Sequence, residues 1–170
     1  MPHAENKVDW CLKKAQKELE KGSRHRGLIK IKPDMELASQ HLIKAGHNLN
    51  AITDFKNKGY SDWSASATFY STYHCFLAIL AKLGYESRNQ ECTFALIYDL
   101  IDSGKIKLDK KVVQEVHLLD VEEKHESPTI VEIRETEQYG ISLSIEDKIF
   151  NKLLKTAKTI LDQTKEILEY

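Results

Sequence analysis

The sequence of 170 residues is poor in residues that break regular structure, with 7 Gly and 3 Pro. So few breakers exclude collagen-like and low-complexity chains and favour a protein of long helices. An excess of either charge is also lacking, because 25 Lys and Arg stand against 26 Asp and Glu. This balance excludes a uniformly basic nucleic-acid coat and a strongly acidic tail protein. With 41% hydrophobic and 30% charged residues, the composition fits one globular domain with a buried core.

Cysteine is scarce too, with Cys11, Cys75 and Cys92 as the three examples. The count is odd and no C-x-x-C pair occurs, so we expect a reducing cytosol and no secreted disulfide framework. The N-terminus MPHAENKVDW has no apolar core of a signal peptide. The most apolar stretch, CFLAILA at 75–81, is too short to span a bilayer. The sequence therefore predicts a cytoplasmic protein that does not contact a membrane.

The spacing of apolar residues predicts helices almost throughout the chain. The expected fold class is all-α, an antiparallel bundle of four to five main helices with an N-terminal helical extension. The division expected is an N-terminal helix and basic connector over 1–33, followed by the bundle over 34–170. The predicted helices cover residues 5–21, 34–55, 61–83, 89–101, 109–119 and 144–168.

Short polar residues mark where several helices begin. Asp34, Ser61 and Asp109 each precede an apolar stripe and are expected N-caps. Residues 120–147 are less regular, although Ser127-Pro128 is typical of a helix start. The helix after Ser61 is apolar on nearly every side, which predicts a place at the centre of the bundle. Cys75 within it is then simply a small buried hydrophobe.

Charge is distributed unevenly along the chain. Residues 1–33 hold nine basic and four acidic residues, a net charge of +5, whereas residues 120–147 hold two and nine, a net charge of −7. The two segments could attract each other within one chain or across a dimer. Alternatively, they are two solvated faces with no partner.

The sequence lacks the common catalytic and cofactor motifs. It has no Walker loop, Gly-rich dinucleotide fingerprint, nucleophile elbow or H-E-x-x-H motif, so no cofactor is expected. Glu122 and His125 form one Glu-x-x-His pair. A di-metal bundle site needs two such pairs and two further carboxylates. We therefore expect no metal there, but a solvated polar face.

Aromatic and imidazole side chains cluster in the most apolar helix. In FYSTYH, Tyr70, Tyr73 and His74 lie near one another and near Leu77 at helical spacing. Buried hydroxyls and imidazoles need hydrogen-bond partners. The cluster is therefore either a satisfied core network or a polar pocket between helices that binds a nucleotide or RNA.

Two arginines are candidates for phosphate contacts. Arg88-Asn89 stands at the start of a helix, where a cation joins free backbone N–H groups in a phosphate or carboxylate site. The same residues could instead cap the loop or pair with the acidic segment. Arg134 is surrounded by glutamates and a glutamine, and it is either an ion-pair element or, if it faces a cleft, a phosphate ligand. These neighbours are Glu132, Glu135, Glu137 and Gln138.

Two stretches carry a resemblance to a known family. The stretch DWSASATFYSTYHCFLAILAKLGYESRNQECTFALI resembles the central two helices of HEPN domains, the higher eukaryotes and prokaryotes nucleotide-binding domains. Those domains have a helix rich in small residues, Tyr and His, then L-x-x-x-G, a short polar turn and an apolar helix. IRETEQYG, followed by a long amphipathic helix, is similar to the C-terminal part of the family. The resemblance covers about residues 34–168.

The resemblance implies a helical bundle that dimerises and that binds or cleaves RNA. Many members are toxins or partners of minimal nucleotidyltransferases. Its ribonucleases use an Arg-x(4–6)-His motif, in which Arg holds phosphate and His transfers a proton. Arg134 matches the Arg, but Tyr139, Gly140 and Ile141 follow where His is expected. In relatives the turn after the central helix ends on a His; Gln90 stands in that place. Tyr titrates too high to replace His as a base.

Three hypotheses follow, and ribonuclease activity is left undecided because the motif is incomplete. The first is a nucleotide- or RNA-binding homodimer without the family's cleavage activity, in a toxin–antitoxin-like system with a minimal nucleotidyltransferase as the implied partner. Its candidate site residues are Arg134, Tyr139, Arg88, Asn89, Tyr70, Tyr73 and His74. The second is a metal-independent ribonuclease that uses Arg134 with His74 or His125. The third is a protein whose bundle serves only assembly.

Overall fold

A computed structural model of the chain describes residues 2–119 and 125–169. In these residues it shows seven α-helices and one two-stranded sheet, so the predicted all-α bundle is confirmed. The elements in chain order are α1 Pro2–Glu20, β1 Leu28–Lys30, α2 Met35–Asn57, α3 Asp62–Lys82, β2 Tyr85–Ser87, α4 Gln90–Asp102, α5 Lys110–Val116, α6 Ile130–Tyr139 and α7 Asp147–Glu169.

Helix α3 lies at the centre of the bundle, as its apolar sequence predicts. It packs along α2 and also contacts α7, α6 and α4. Small hydroxyl residues allow α2 and α3 to approach closely, because Ser64 Oγ donates to the carbonyl oxygen of Ile52 at 2.7 Å and Ser71 Oγ to that of Ala45 at 2.9 Å. These bonds satisfy polar groups that would otherwise be costly to bury. Cys75 is buried in the same helix, as expected.

Helix α1 covers α4 and is joined to it covalently. Its buried face consists of Ala4, Val8, Cys11 and Ala15. Cys11 forms a disulfide with Cys92 in α4, with 5.9 Å between the two Cα atoms. We expected reduced cysteines, but the two residues are 81 positions apart and only the fold brings them together. The division of the chain at residue 33 stays a prediction.

A short sheet connects the chain after α1 to the turn after α3, and the sequence did not predict it. Strands β1 and β2 pair antiparallel, with Ile29 opposite Glu86. Gly84 allows this pairing because its φ is +81° and a Cβ there would lie 2.8 Å from the carbonyl oxygen of Ile31. Only glycine adopts such a conformation at so close an approach.

Two of the expected N-caps are confirmed. The side chain of Asp34 accepts a hydrogen bond from the backbone N–H of Leu37, and that of Asp109 accepts one from Lys111. Ser61 holds the N-cap position of α3 but makes no capping hydrogen bond. Its Oγ instead accepts the backbone N–H of Ile145 at 3.1 Å, which ties the segment before α7 to the start of α3.

The predicted helix start at Ser127-Pro128 is wrong by two residues. Thr129 is the N-cap of α6 and forms a capping box with Glu132, in which each side chain bonds the other residue's backbone N–H. This reciprocal arrangement provides hydrogen-bond acceptors for two backbone N–H groups that would otherwise be unpaired. A Ser followed by Pro does not provide both acceptors. Ser127 lies outside the helix, where its Oγ accepts a hydrogen bond from Lys152 Nζ at 3.3 Å.

Lysines hold both ends of α7. Lys56, near the end of α2, contacts the Asp147 carboxylate at 2.5 Å in the first turn of α7. Lys82, at the end of α3, donates to the carbonyl oxygens of Ile167 at 2.6 Å and Leu168 at 3.4 Å in the last turn. Helix α7 therefore runs antiparallel to α2 and lies beside both central helices.

None of the helices in the residues described is both long and apolar enough to cross a membrane.

Candidate functional site

The predicted site residues fall in separate places on the bundle. Tyr70, Tyr73 and Arg134 meet where α3 packs on α6. His74 faces α2, and Arg88 and Asn89 lie between β2 and α4. Tyr139 is the last residue of α6 and is 80% exposed.

Phe69 is the residue that brings three of the candidates together. Its ring lies 4.1 Å from Arg134 Cζ, in cation–π geometry. Tyr73 stacks on the ring at 5.5 Å between centroids, and Tyr70 meets it edge-on at 5.2 Å. Phe69 is buried, whereas Tyr70 is half-exposed. The sequence did not point to Phe69, because an apolar residue in an apolar helix is expected to be an ordinary core residue.

Arg134 retains an unused donor in this cluster. Its side chain is 14% exposed, and one guanidinium nitrogen lies 3.7 Å from the Glu135 carboxylate. Its Nε is buried and has no hydrogen-bond partner. An unpaired buried donor is costly, so a ligand that accepts from it gains the bond at little desolvation cost.

The charge around Arg134 is mostly negative. A pocket of about 190 Å³ lies between the start of α3 and the end of α6, and neither Arg134 nor the ring of Phe69 lines it. Asp62 and Glu137 are among its lining residues, and burial together with the Asp62 charge raises the pKa of Glu137. Carboxylates at this pocket oppose the entry of an anion, and they oppose a polyphosphate more than a single phosphate group.

His74 pairs with His41 of α2, a residue that the sequence did not single out. Their Nδ1 atoms are 3.0 Å apart, so one ring donates to the other. Burial, with the charges of His41 and Lys44, lowers the pKa of His74 to about 4, and burial also lowers the pKa of His41. At neutral pH His74 is therefore uncharged, and it offers a ligand a hydrogen bond rather than a positive charge.

The hydroxyl of Tyr73 points away from the cluster. It lies 3.1 Å from Thr93 Oγ1, which is itself 2.8 Å from Ser87 Oγ. Burial raises the pKa of Tyr73, and the Thr93 hydrogen bond opposes that rise only in part. Tyr73 therefore contributes its ring to the Phe69 stack, and its hydroxyl belongs to the core network.

Arg88 and Asn89 have structural partners. Arg88 Nε is 2.7 Å from Glu86, which also contacts His25 at 2.9 Å. Burial raises the pKa of Glu86, but these two partners outweigh it and the net change is downward. The Asn89 side chain caps α4 by accepting from the backbone N–H of Cys92 at 3.0 Å. Capping, one alternative considered, accounts for Asn89, whereas the ion pair described for Arg88 is with Glu86 of β2 and not with the acidic segment.

His125 lies away from the Arg134 cluster. It contacts Glu132 at 3.0 Å, and Glu132 and Arg134 are two residues apart on α6. A step of two residues turns an α-helix by about 200°, so the two side chains leave on opposite sides. Glu122, the other half of the Glu-x-x-His pair, is outside the described residues. Over 2–119 and 125–169 no group of three or more His, Cys, Asp or Glu could hold a metal ion.

Comparison of the chain with protein-family models gave no match, and comparison with curated proteins gave none either.

Proposed function

We propose that this protein is a HEPN-like bundle that binds a nucleotide, or one nucleotide of an RNA, between α3 and α6. The observation that carries the proposal is the contact of the Arg134 guanidinium with the ring of Phe69, which the half-exposed ring of Tyr70 also meets edge-on. A cation next to an open aromatic ring matches the two parts of a nucleotide, its phosphate and its base.

Each residue then has a separate task in binding. Arg134 donates to one phosphate through the exposed part of its guanidinium, and Tyr70 stacks on the base. His74 faces α2 and pairs with His41, so it is not part of this site. The carboxylates of Asp62 and Glu137 favour a single phosphate over a triphosphate.

The arrangement supports binding more strongly than cleavage. An imidazole that acts as a general acid must be protonated, and His74, with a pKa of about 4, is not protonated at neutral pH. His125 lies before α6 and contacts Glu132, whose side chain leaves α6 on the side opposite to Arg134. Tyr139 stands where the family's ribonucleases have His, and it is not an imidazole that could transfer a proton in the same way. We therefore assign no ribonuclease activity to the protein.

A homodimer is part of the proposal. Ile43 on α2 is 71% exposed, and Trp63 on α3 is 55% exposed. Large apolar side chains on two neighbouring helices favour an interface over a free surface. A minimal nucleotidyltransferase partner and a toxin–antitoxin-like role rest on the resemblance alone.

A cytoplasmic location also belongs to the proposal. A disulfide between Cys11 and Cys92 favours an oxidising compartment over the reducing cytosol, and so argues against this part.

The test is a binding and cleavage assay on the wild type and two variants of one residue. Arg134→Gln removes the charge, and we expect it to weaken binding of a nucleoside monophosphate about tenfold, the loss typical of one charge-assisted bond. Arg134→Lys keeps the charge but lacks the planar guanidinium, so its affinity should lie between those of the wild type and Arg134→Gln. Lys158→Gln, on the exposed side of α7, is the matched control and should leave the affinity unchanged.

Binding would be measured by calorimetry and cleavage by incubation with a mixed RNA pool free of metal ions. Equal affinity of wild type and Arg134→Gln for every nucleotide and RNA tested would contradict the proposed site and favour a protein used only for assembly. Cleavage that Arg134→Gln abolishes would instead establish the ribonuclease alternative.

A further inference from the structure

The outer face of α1 carries a stripe of lysines around one exposed tryptophan. Trp10 is 52% exposed at the middle of the stripe, and a shallow groove of about 330 Å³ lies along it. The stripe, which we call the α1 basic face, consists of Lys7, Trp10, Lys13, Lys14, Lys17 and Lys21. From Lys7 to Lys21 it extends about 21 Å along the helix.

Two of these lysines already contact the tryptophan. Lys7 Nζ lies 5.2 Å and Lys14 Nζ 5.1 Å from the centre of the Trp10 ring, one helical turn before and after it. Two like charges on one ring repel each other, and a negative group between them would remove that repulsion. The ring is therefore held at a place where an anion is favoured.

Carboxylates of the same helix do not neutralise this face. Glu18, at its edge, is engaged by Arg26, whose backbone N–H donates to it at 2.6 Å. Asp9 and Glu20 lie about a quarter turn to the side. Within the part of the chain that the structure describes, no ion pair holds any of the five lysines. Lys7 acts at longer range, where its charge helps to lower the pKa of Glu91.

We propose that the α1 basic face binds single-stranded nucleic acid, with a base stacked on Trp10 and successive phosphates along the lysines. An open aromatic ring within a row of cations is the arrangement by which proteins hold single strands without reading their sequence. This surface is separate from the site between α3 and α6, and the inference does not depend on the proposed function.

The structure favours a nucleic acid over an anionic membrane as the occupant. A helix that lies on a membrane inserts an apolar face, but the apolar face of α1 is buried on α4. The Cys11–Cys92 disulfide fixes α1 in that orientation. The exposed face offers one apolar side chain, which suffices to stack on a base but not to insert into lipid.

The ring and the charges are tested separately, with anisotropy of a labelled oligouridine of about 12 nucleotides as the readout. Trp10→Leu should weaken binding at least fivefold, and Trp10→Phe should restore part of the loss. Tyr60→Leu changes a similarly exposed aromatic residue just before α3 and should not weaken binding fivefold. In a Trp63→Phe background, Trp10 emission should be quenched when the oligonucleotide binds, because Trp10 and Trp63 are the two tryptophans of the chain.

Salt dependence tests the lysines. For four phosphate contacts, log affinity should fall against log salt with a slope of about −3, and Lys7, Lys14 and Lys17 changed together to Gln should reduce the steepness by about 2. The control changes Lys148, Lys155 and Lys158 of α7, which are exposed and carry the same total charge. Equal losses in both triple variants would overturn the proposal, since only net charge would then matter.

Other occupants of the α1 basic face give distinct results. Sedimentation with phosphatidylserine vesicles, without oligonucleotide binding, would identify a membrane. Loss of self-association in Trp10→Leu, measured by ultracentrifugation, would identify a second copy of the chain. Either result would replace the nucleic acid. If Trp10→Leu binds the oligonucleotide as the wild type does while Arg134→Gln binds nucleotide more weakly, this inference is rejected and the proposed function stands. If Trp10→Leu loses oligonucleotide binding while Arg134→Gln keeps its nucleotide affinity, the proposed function is rejected and this inference stands.

Discussion

The contact between His41 and His74 is an imidazole pair that the fold keeps neutral. Each ring is partly buried between α2 and α3, and Lys44 adds a positive charge beside them. A second proton would place two cations 3.0 Å apart at Nδ1, so acid must break the pair or open the helices. This pair is where the α2–α3 packing is most sensitive to pH.

The stability of the protein should therefore fall in mild acid. The pKa of His74 is about 4 in the folded chain against 6.5 in the unfolded chain, so the unfolded state binds more protons between these values. Lowering the pH through this window favours unfolding, and His74→Asn should flatten that dependence. Urea unfolding at pH 7 and pH 5 measures the effect. His47→Asn, on the exposed side of α2, is the control, and an equal flattening there would refute the assignment to His74.

Three of the candidate residues lie together in the structure through a partner that the sequence did not single out. Tyr70, Tyr73 and Arg134 were candidates, and the structure joins them through Phe69, which the sequence did not single out. Likewise His74 was expected to need a partner, but nothing in the sequence identifies His41, 33 positions earlier. Helical spacing predicts neighbours within one helix, whereas contacts between helices depend on how the helices pack.

Among the elements, α6 depends most on its first turn. It has ten residues, a length at which an isolated helix is marginal in water, and it carries Arg134 to Phe69. The capping box of Thr129 and Glu132 satisfies its first N–H groups. Helices with a long apolar stripe were predicted correctly, but this short element in an acidic, irregular segment was placed only approximately.

Removal of the α6 cap should destabilise the protein and weaken the site together. Thr129→Ala deletes the capping oxygen and should lower the free energy of unfolding by about 1 kcal/mol. Ser127→Ala removes the N-cap that the sequence pattern favoured. This change should alter the free energy of unfolding by less than about 0.5 kcal/mol. Chemical denaturation compares the two. A larger loss in Ser127→Ala would mean that α6 begins there after all.

For the whole molecule, the disulfide between α1 and α4 determines how firmly the N-terminal helix is held. Two cysteines 81 residues apart close a long loop and restrict the unfolded chain. The spacing of cysteines in one sequence could not reveal this pair, because both lie on apolar helix faces that the sequence explains as core. The strands beside it were missed for a similar reason, since three residues are too few to give a pattern.

Reduction of the disulfide should lower the free energy of unfolding by about 4 kcal/mol, the loop entropy for this separation. Urea unfolding with and without dithiothreitol measures the change. The variant Cys11→Ala with Cys92→Ala should not respond to the reductant, whereas Cys75→Ala should respond like the wild type. No effect of dithiothreitol on the wild type would show that the thiols are free, and thiol trapping in cells would then support the cytoplasmic location.

The two lysines at the ends of α7 also determine how that helix is aligned along the bundle. Its apolar side chains recur at helical spacing, so a slide by one turn, about 5.4 Å, would present a similar surface to α2 and α3. Such a slide would separate Lys56 from Asp147 and Lys82 from the last carbonyl groups at the same time. The two lysine contacts therefore fix the alignment of α7, because the helix can form both of them at only one position and in one direction.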